Sequence, residues 1–243
     1  MSDFNYTLIS GANQGLGLAI ATRLAKEHGH HVIIGSRNAE AGAKIAATFQ
    51  ADGLSASSVQ LDLSSDDSIA EAAAIIQKQF GRLDVLVNNA GILLDRSEPK
   101  PETRDLYAKT FNTNVFGTAC LTEAILPLLR KSILPRVVFV SSIMGSLAQA
   151  KVRDTPFYDI DYRAYDASKA ALNMMALNYA RILDGFGGRV NIVCPGLVAT
   201  NLGPGVEYGQ PPYIGAQRIV ELAALDKGGP TATFSNRDGD LAW

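Results

Sequence analysis

Short apolar runs alternate along the chain with longer stretches whose apolar positions recur every three or four residues. Tyr6-Thr7-Leu8-Ile9-Ser10 is a β-rich run that breaks at Gly11, and Leu16 to His28 places Leu16, Ile20 and Leu24 on one helical face. His31 to Gly35 predicts a second strand and Glu40 to Phe49 a second helix; Ser57 to Leu61 predicts a third strand. Ser65 to Phe80 opens with a serine and two aspartates, the signature of a helix N-terminus. Leu83 to Asn88 and Arg136 to Ser141 are near-continuous apolar runs, as expected of strands covered on both faces. Between them one long helix is predicted from Glu102 to Leu129, with Pro127 expected to kink its last turns or end it early. Ala164 to Leu183 reads as helix, Val190 to Cys194 as a sixth strand, Ala216 to Leu225 as a last helix and Ala232 to Phe234 as a short final strand. Strand and helix alternate with no repeat, low-complexity tract or linker. The pattern predicts one α/β domain over residues 1–243, a doubly wound parallel sheet with helices on both faces. Ligands of such sheets bind beyond the carboxyl ends of the strands.

Composition sharpens this picture without changing it. A chain of 243 residues with 47% hydrophobic residues can bury a large core. The net charge of −2 gives no electrostatic footprint for nucleic acid or an anionic membrane surface. The basic run from Arg130 to Arg136 is broken by apolar residues and reads as a solvated helix end. Cys120 and Cys194 lie far apart in apolar settings, which predicts buried free thiols and a reducing compartment. Met1 to Ser10 has no secretory pattern, and no segment reaches about 18 consecutive apolar residues, so a cytoplasmic protein is expected.

The chemistry-bearing residues fall where strands end. Tyr165 and Lys169 lie four apart on a predicted helix and so share a face. Of the eight tyrosines, Tyr165 alone has a lysine at that spacing, and an adjacent ammonium favours a phenolate. Gly11-Ala12-Asn13-Gln14-Gly15-Leu16-Gly17 joins the first strand to the first helix, where backbone N–H groups and the helix dipole receive a pyrophosphate. Its spacing is G-x-x-x-G-x-G rather than G-x-G-x-x-G. The second strand ends in Gly35-Ser36-Arg37-Asn38, with a hydroxyl and a guanidinium where a NAD site often has an acid. That favours a 2′-phosphate and hence NADP, with NAD left open through Glu40. Asp62 after the third strand can accept from an adenine amine or cap the Ser64 to Asp67 turn.

Taken in order, these stretches make the chain resemble the short-chain dehydrogenase/reductase superfamily, carbonyl reductases in particular. The resemblance runs through the Gly11/Gly15/Gly17 loop, Asn88-Asn89-Ala90-Gly91, Asn114 with Gly117, Ser141-Ser142 with Gly145, Tyr165/Lys169, and Pro195-Gly196. It implies a Rossmann-type domain and a catalytic set of Asn114, Ser142, Tyr165 and Lys169. Tyr165 would be the acid in reduction and the base in oxidation; Lys169 would hold the nicotinamide ribose and lower the Tyr165 pKa. Ser142, three residues before Gly145, would hold the substrate carbonyl oxygen. Asn114 would kink its helix and connect Lys169 to solvent. The implied cofactor contacts are Gly11, Asn13, Gln14, Gly15, Leu16, Gly17, Ser36, Arg37, Asp62, Leu63, Asn88, Ala90, Gly91, Tyr165, Lys169, Pro195, Gly196, Val198 and Thr200. No metal is expected.

Two departures from the family pattern stand out. An amide, Gln14, stands where NADP-preferring relatives with an arginine at the position of Arg37 usually carry a base. The interval from Ser142 to Tyr165 is long for the family; the extra residues, Ser146 to Arg163, resemble the insertion of some monomeric carbonyl reductases that covers the helix surface used for dimers. A monomer and a homo-oligomer are both compatible with the sequence. Asn201 to Pro212, with Gly203, Pro204, Gly205, Gly209, Pro211 and Pro212, has the composition of a substrate lid. Leu147, Tyr158, Leu202 and Tyr208 are candidate walls for an apolar or aromatic ketone, aldehyde or matching alcohol, whereas Trp243 is expected to anchor the tail. The competing readings are a cofactor-sensing regulator on the same scaffold and an epimerase or dehydratase, which usually needs a larger substrate domain.

Overall fold

Apolar runs with β-branched residues become the strands of one sheet, and the amphipathic stretches between them become its two helical layers. The computed structural model describes residues 4–202 and 208–243. Strands β1 (Tyr6–Ser10), β2 (His31–Ser36), β3 (Ala56–Gln60), β4 (Val85–Asn88), β5 (Arg136–Val140), β6 (Arg189–Val193), β7 (Phe234–Asn236) and β8 (Gly239–Asp240) lie in the order β3-β2-β1-β4-β5-β6-β7-β8. All neighbours are parallel except β7 and β8, a two-residue hairpin that the sequence reading did not foresee.

Helices α1 (Gly15–His28), α2 (Ala39–Ala51), α3 (Asp66–Phe80), α4 (Thr103–Phe111), α5 (Thr118–Leu129), α6 (Arg163–Asp184), α7 (Pro212–Gly215) and α8 (Gln217–Ala223) complete the fold. Alternate residues of each strand serve opposite cores. Leu86, Val137 and Phe139 face Leu121, Ile125, Leu172 and Ala176 of α5 and α6. Val85, Val87, Val138 and Val140 face Ile20, Leu24, Ile219 and Val220 of α1 and α8. Each fully buried aliphatic side chain contributes about 1.5–3 kcal/mol, so strands covered on both sides need continuous apolar runs.

The predicted long helix forms with one modification. It continues through Pro127 to Leu129, but Asn112–Gly117 between α4 and α5 is a π-helical turn. A side chain on Gly117 would run into the Leu63 carbonyl, so the widened turn and the missing side chain together let the loop after β3 approach. Two further expectations are corrected. Arg136 is not part of a solvated helix end: it opens β5 and is 4% exposed. Cys120 is exposed on α5; only Cys194 is buried, and both are free thiols. Among the described residues no helix is long and apolar enough to cross a membrane.

Candidate active site

Beyond the carboxyl ends of β1, β4, β5 and β6 the loops converge. The loop after β1 turns sharply into α1, with Gly11 and Gly15 at φ of 67° and 54°. A side chain on Gly17 would strike the Gly11 carbonyl. Gln14 occupies the cap position of α1, and its side chain makes no cap hydrogen bond, which leaves the helix N-terminus able to receive an anion. Asn13 and Leu16 flank it, half-exposed. Thr200 lies across from this loop, its methyl 3.3 Å from where a Cβ on Gly15 would sit.

At the end of β2, Ser36 is buried and donates to the Asn38 carbonyl at 2.7 Å, while Arg37 and Glu40 are exposed. Asp62 accepts from both the N–H and the hydroxyl of Ser64 at 2.9 and 2.6 Å, bonds that hold its carboxyl below the usual range, with a smaller contribution from Arg37. It therefore serves the turn foreseen for it and faces the Arg37 charge. Leu63 is buried with its carbonyl against Gly117.

Asn88 and Asn89 divide their work. Asn88 is buried and donates to the Thr122 hydroxyl at 3.0 Å, so its side chain braces β4 against α5. Asn89 donates to the Ser10 and Gly11 carbonyls at 2.8 and 3.3 Å and ties the β4 loop to the glycine turn. Ala90 N–H donates to the Ser10 hydroxyl at 3.0 Å. Gly91 borders the catalytic side: a Cβ there would lie 3.3 Å from Asn114 Oδ1 and 3.7 Å from Lys169 Nζ. That cradle, where a side chain would crowd the Asn114 amide, is bordered by an amide and an ammonium and fits a nicotinamide nucleotide whose ribose hydroxyls need such partners.

Asn114 is held in the π turn. Its Oδ1 accepts Ile92 N–H at 2.8 Å, and its Nδ2 donates to the Ile92 carbonyl and the Ser168 hydroxyl at 2.9 and 3.0 Å. Lys169 is buried and donates to the Val140 carbonyl at 2.9 Å; burial lowers its pKa to about 8. Its ammonium stands 5.5 Å from the centre of the Tyr165 ring. Burial pushes the Tyr165 phenol well above its usual range, Cys194 and Asp166 add to this, and the hydrogen bond with Ser142 works in the opposite direction. Desolvation of the phenolate, and not the lowering expected from Lys169, sets the direction of the Tyr165 shift. Ser142 accepts Met144 N–H at 3.1 Å, which occupies a lone pair and leaves its O–H to donate.

Residues 5–209 match the family described as short chain dehydrogenase. The chain belongs to the short-chain dehydrogenase/reductase family. It is an oxidoreductase of that NAD(P)H-dependent type. A short-chain dehydrogenase/reductase, eupG of Phoma sp., is 37% identical over 217 residues, covering 81% of this chain and 78% of that protein. Carbonyl reductase [NADPH] 1 of Homo sapiens is 31% identical over 279 residues, covering 100% of this chain and 99% of its own. Among solved structures, salutaridine reductase from Papaver somniferum superposes with a TM-score of 0.79 at 26% identity, over 96% of this chain and 99% of that one.

The four residues expected to wall the substrate are all exposed. Leu147 and Tyr208 are 72% and 82% exposed, and Tyr158 and Leu202 are also exposed. Tyr162 meets Tyr165 edge-on at 6.4 Å. Around the segment expected to be a lid, the backbone of Val198 pairs with that of Gln210, whose side chain donates to the Pro195 carbonyl at 2.6 Å beside Gly196. Gly203, Pro204 and Gly205 lie outside the described residues. The extra segment after Ser146 is tied to the C-terminal tail: Ser146 donates to the Ala242 carbonyl and Ala148 N–H to that of Trp243, whose ring rests on Phe234. Phe116 in the π turn and Met174 on α6 are exposed.

The sequence reading missed Asn89 and Asp95. Asp95 is buried and accepts Ala164 and Tyr165 N–H at 2.8 and 3.2 Å, capping α6 from a distant loop. Asn89 was legible in its motif; for Asp95 the local sequence carries no signal.

Proposed function

We propose that this protein is an NADPH-dependent carbonyl reductase, equally an alcohol dehydrogenase in reverse, acting on an apolar or aromatic ketone or aldehyde in the cytoplasm. The observation that carries this reading is that Tyr165 hydrogen-bonds with Ser142 and has the Lys169 ammonium over its ring, while Lys169 and Asn114 together border Gly91. Asn13 to Gly17, Asn89 to Gly91 and Thr200 would hold the nucleotide. Arg37 beside Ser36 would take its 2′-phosphate, in keeping with the NADPH in the name of the human relative. When bound, the nicotinamide supplies the hydride.

The chain's own groups handle the oxygen and the proton. Ser142 donates to the substrate carbonyl oxygen and stabilises charge as it develops there. Tyr165 delivers its proton to that oxygen; the high phenol pKa keeps the proton in place until the oxygen becomes basic. Lys169 borders the Gly91 cradle and holds the ribose hydroxyls. In oxidation Tyr165 takes the proton back.

The test is loss of reduced-nicotinamide absorbance with NADPH and then NADH, over a panel of simple diketones, aromatic ketones and aromatic aldehydes. Turnover with NADPH preferred supports the reading. Tight NADPH binding without turnover across the panel overturns it in favour of a cofactor sensor, and preference for NADH overturns the role given to Arg37.

A further inference from the structure

Tyr165 and Lys169 recur at an interval of four, and the next residue in that series is Asn173. One stripe of α6 thus carries a phenol, an ammonium and an amide, all buried. A buried amide needs partners. Asn173 Oδ1 accepts the Ser141 hydroxyl at 2.6 Å, and its Nδ2 donates to the Gly145 carbonyl at 3.4 Å. These two partners bracket the turn that carries Ser142. Inside the bracket, Gly145 N–H donates to the Ser142 carbonyl at 3.0 Å. The turn also lies directly on α6: a Cβ on Gly145 would sit 2.7 Å from the Lys169 carbonyl carbon.

We propose that Asn173 is a positioning residue for the reduction: it clamps both ends of the Ser142 turn, so the helix that carries Tyr165 and Lys169 also sets where the Ser142 hydroxyl stands. It acts through Ser142 and contacts neither substrate nor nucleotide. An amide suits the task because it accepts on one side and donates on the other; an aspartate can only accept, and an aliphatic residue does neither. The proposal rests on the carbonyl-reductase reading, in which Ser142 holds the substrate oxygen.

The experiment is a double-mutant cycle on the full chain, with kcat measured on the best ketone of the panel for wild type, Asn173→Ala, Ser142→Ala and the double variant. Asn173→Ala should lower kcat by about 10- to 100-fold through misplacement of the hydroxyl, leaving the NADPH Kd within about twofold. With Ser142 already alanine, the same change should cost less than about twofold, because the group it positions is gone. Without any nucleotide, amide exchange at Met144 and Gly145 should quicken in Asn173→Ala while the amides of α6 keep their wild-type rates. An equal cost in both backgrounds, or an unchanged kcat in Asn173→Ala, overturns the clamp. Should Asn173→Ala fail to fold, Ser141→Ala removes the same bond from the other side, and the same comparisons decide. Loss of activity in Ser142→Ala without loss in Asn173→Ala overturns the clamp alone. Full activity in Ser142→Ala overturns the functional reading, and the clamp with it.

Discussion

The sheet carries buried ionisable groups at both ends, and the two clusters do different things. At the amino ends of the strands, Asp84 accepts from Tyr6 N–H, the Arg82 guanidinium and the Ser132 hydroxyl. Arg136 there donates to Asn5 and the Leu225 carbonyl, and His30 pairs with Thr7 at 2.8 Å. At the carboxyl ends stand Ser142, Tyr165, Lys169 and Cys194. Both clusters are desolvated and both hold displaced pKa values: His30 is lowered to about 4, chiefly by burial, as Lys169 is lowered to about 8. A displaced pKa therefore does not separate a site from a structural cluster in this molecule. What separates them is place and direction. Both clusters make backbone bonds; the lower groups otherwise bond with one another, with Thr7 and with Asn5, whereas Tyr165 hydrogen-bonds with Ser142 and the Lys169 ammonium borders Gly91.

The largest effect should come from the upper cluster. Tyr165→Phe removes the transferable proton and keeps the ring, so kcat should fall by about a thousandfold or more, with NADPH affinity nearly intact. Near-normal turnover in that variant would sink the proton-transfer role and, with it, the contrast between the two ends.

The lower cluster should answer in stability, not rate. His30 ionises at 6.5 when unfolded and at about 4 when folded. Its contribution is fully present above pH 6.5 and is lost as pH falls through 4, up to about 3 kcal/mol. Denaturant titrations between pH 7 and 4 should show this decline, and His30→Gln should flatten it while leaving kcat at neutral pH unchanged. Matching pH dependence in the two proteins would remove His30 as the cause.

The difference between the clusters also explains what the sequence could reveal. Strands were legible because continuous apolar runs such as Val137 to Val140 have no other stable place than a sheet covered on both sides. The site was legible where chemistry is written within a turn or two: Gly11 to Gly17, Asn88 to Gly91, Tyr165 with Lys169. The π turn at Asn112–Gly117 was not, because the Leu63 carbonyl that Gly117 must admit is distant in sequence. Burial of Arg136 was hidden likewise, since its acceptors are Asn5 and Leu225 at the two extremes of the chain. Periodicity reports which face is apolar; it carries no record of which remote polar group completes a bond.

Asp95 tests whether such remote bonds matter to catalysis or only to the fold. Helix α6 begins at Arg163, and Tyr162 at its cap position offers no side-chain bond, so the first turn relies on the Asp95 carboxylate at Ala164 and Tyr165 N–H. An anion at that terminus is also attracted by the positive end of the helix dipole. Asp95→Ala should cost about 1–2 kcal/mol in stability, as loss of a cap does. If the cap also fixes the phenol, kcat should fall by about tenfold with little change in substrate KM. Asp95→Asn keeps an acceptor and should recover most of both. A further signature lies in Asp166, raised to about 7 by burial first and then by the charges of Asp95 and Asp161. Removing Asp95 should move any activity limb that follows Asp166 to lower pH, whereas a purely structural cap would leave the pH profile in place. A lowered Tm with kcat and pH profile both unmoved would make Asp95 a member of the structural class, despite its address at the catalytic end of the sheet.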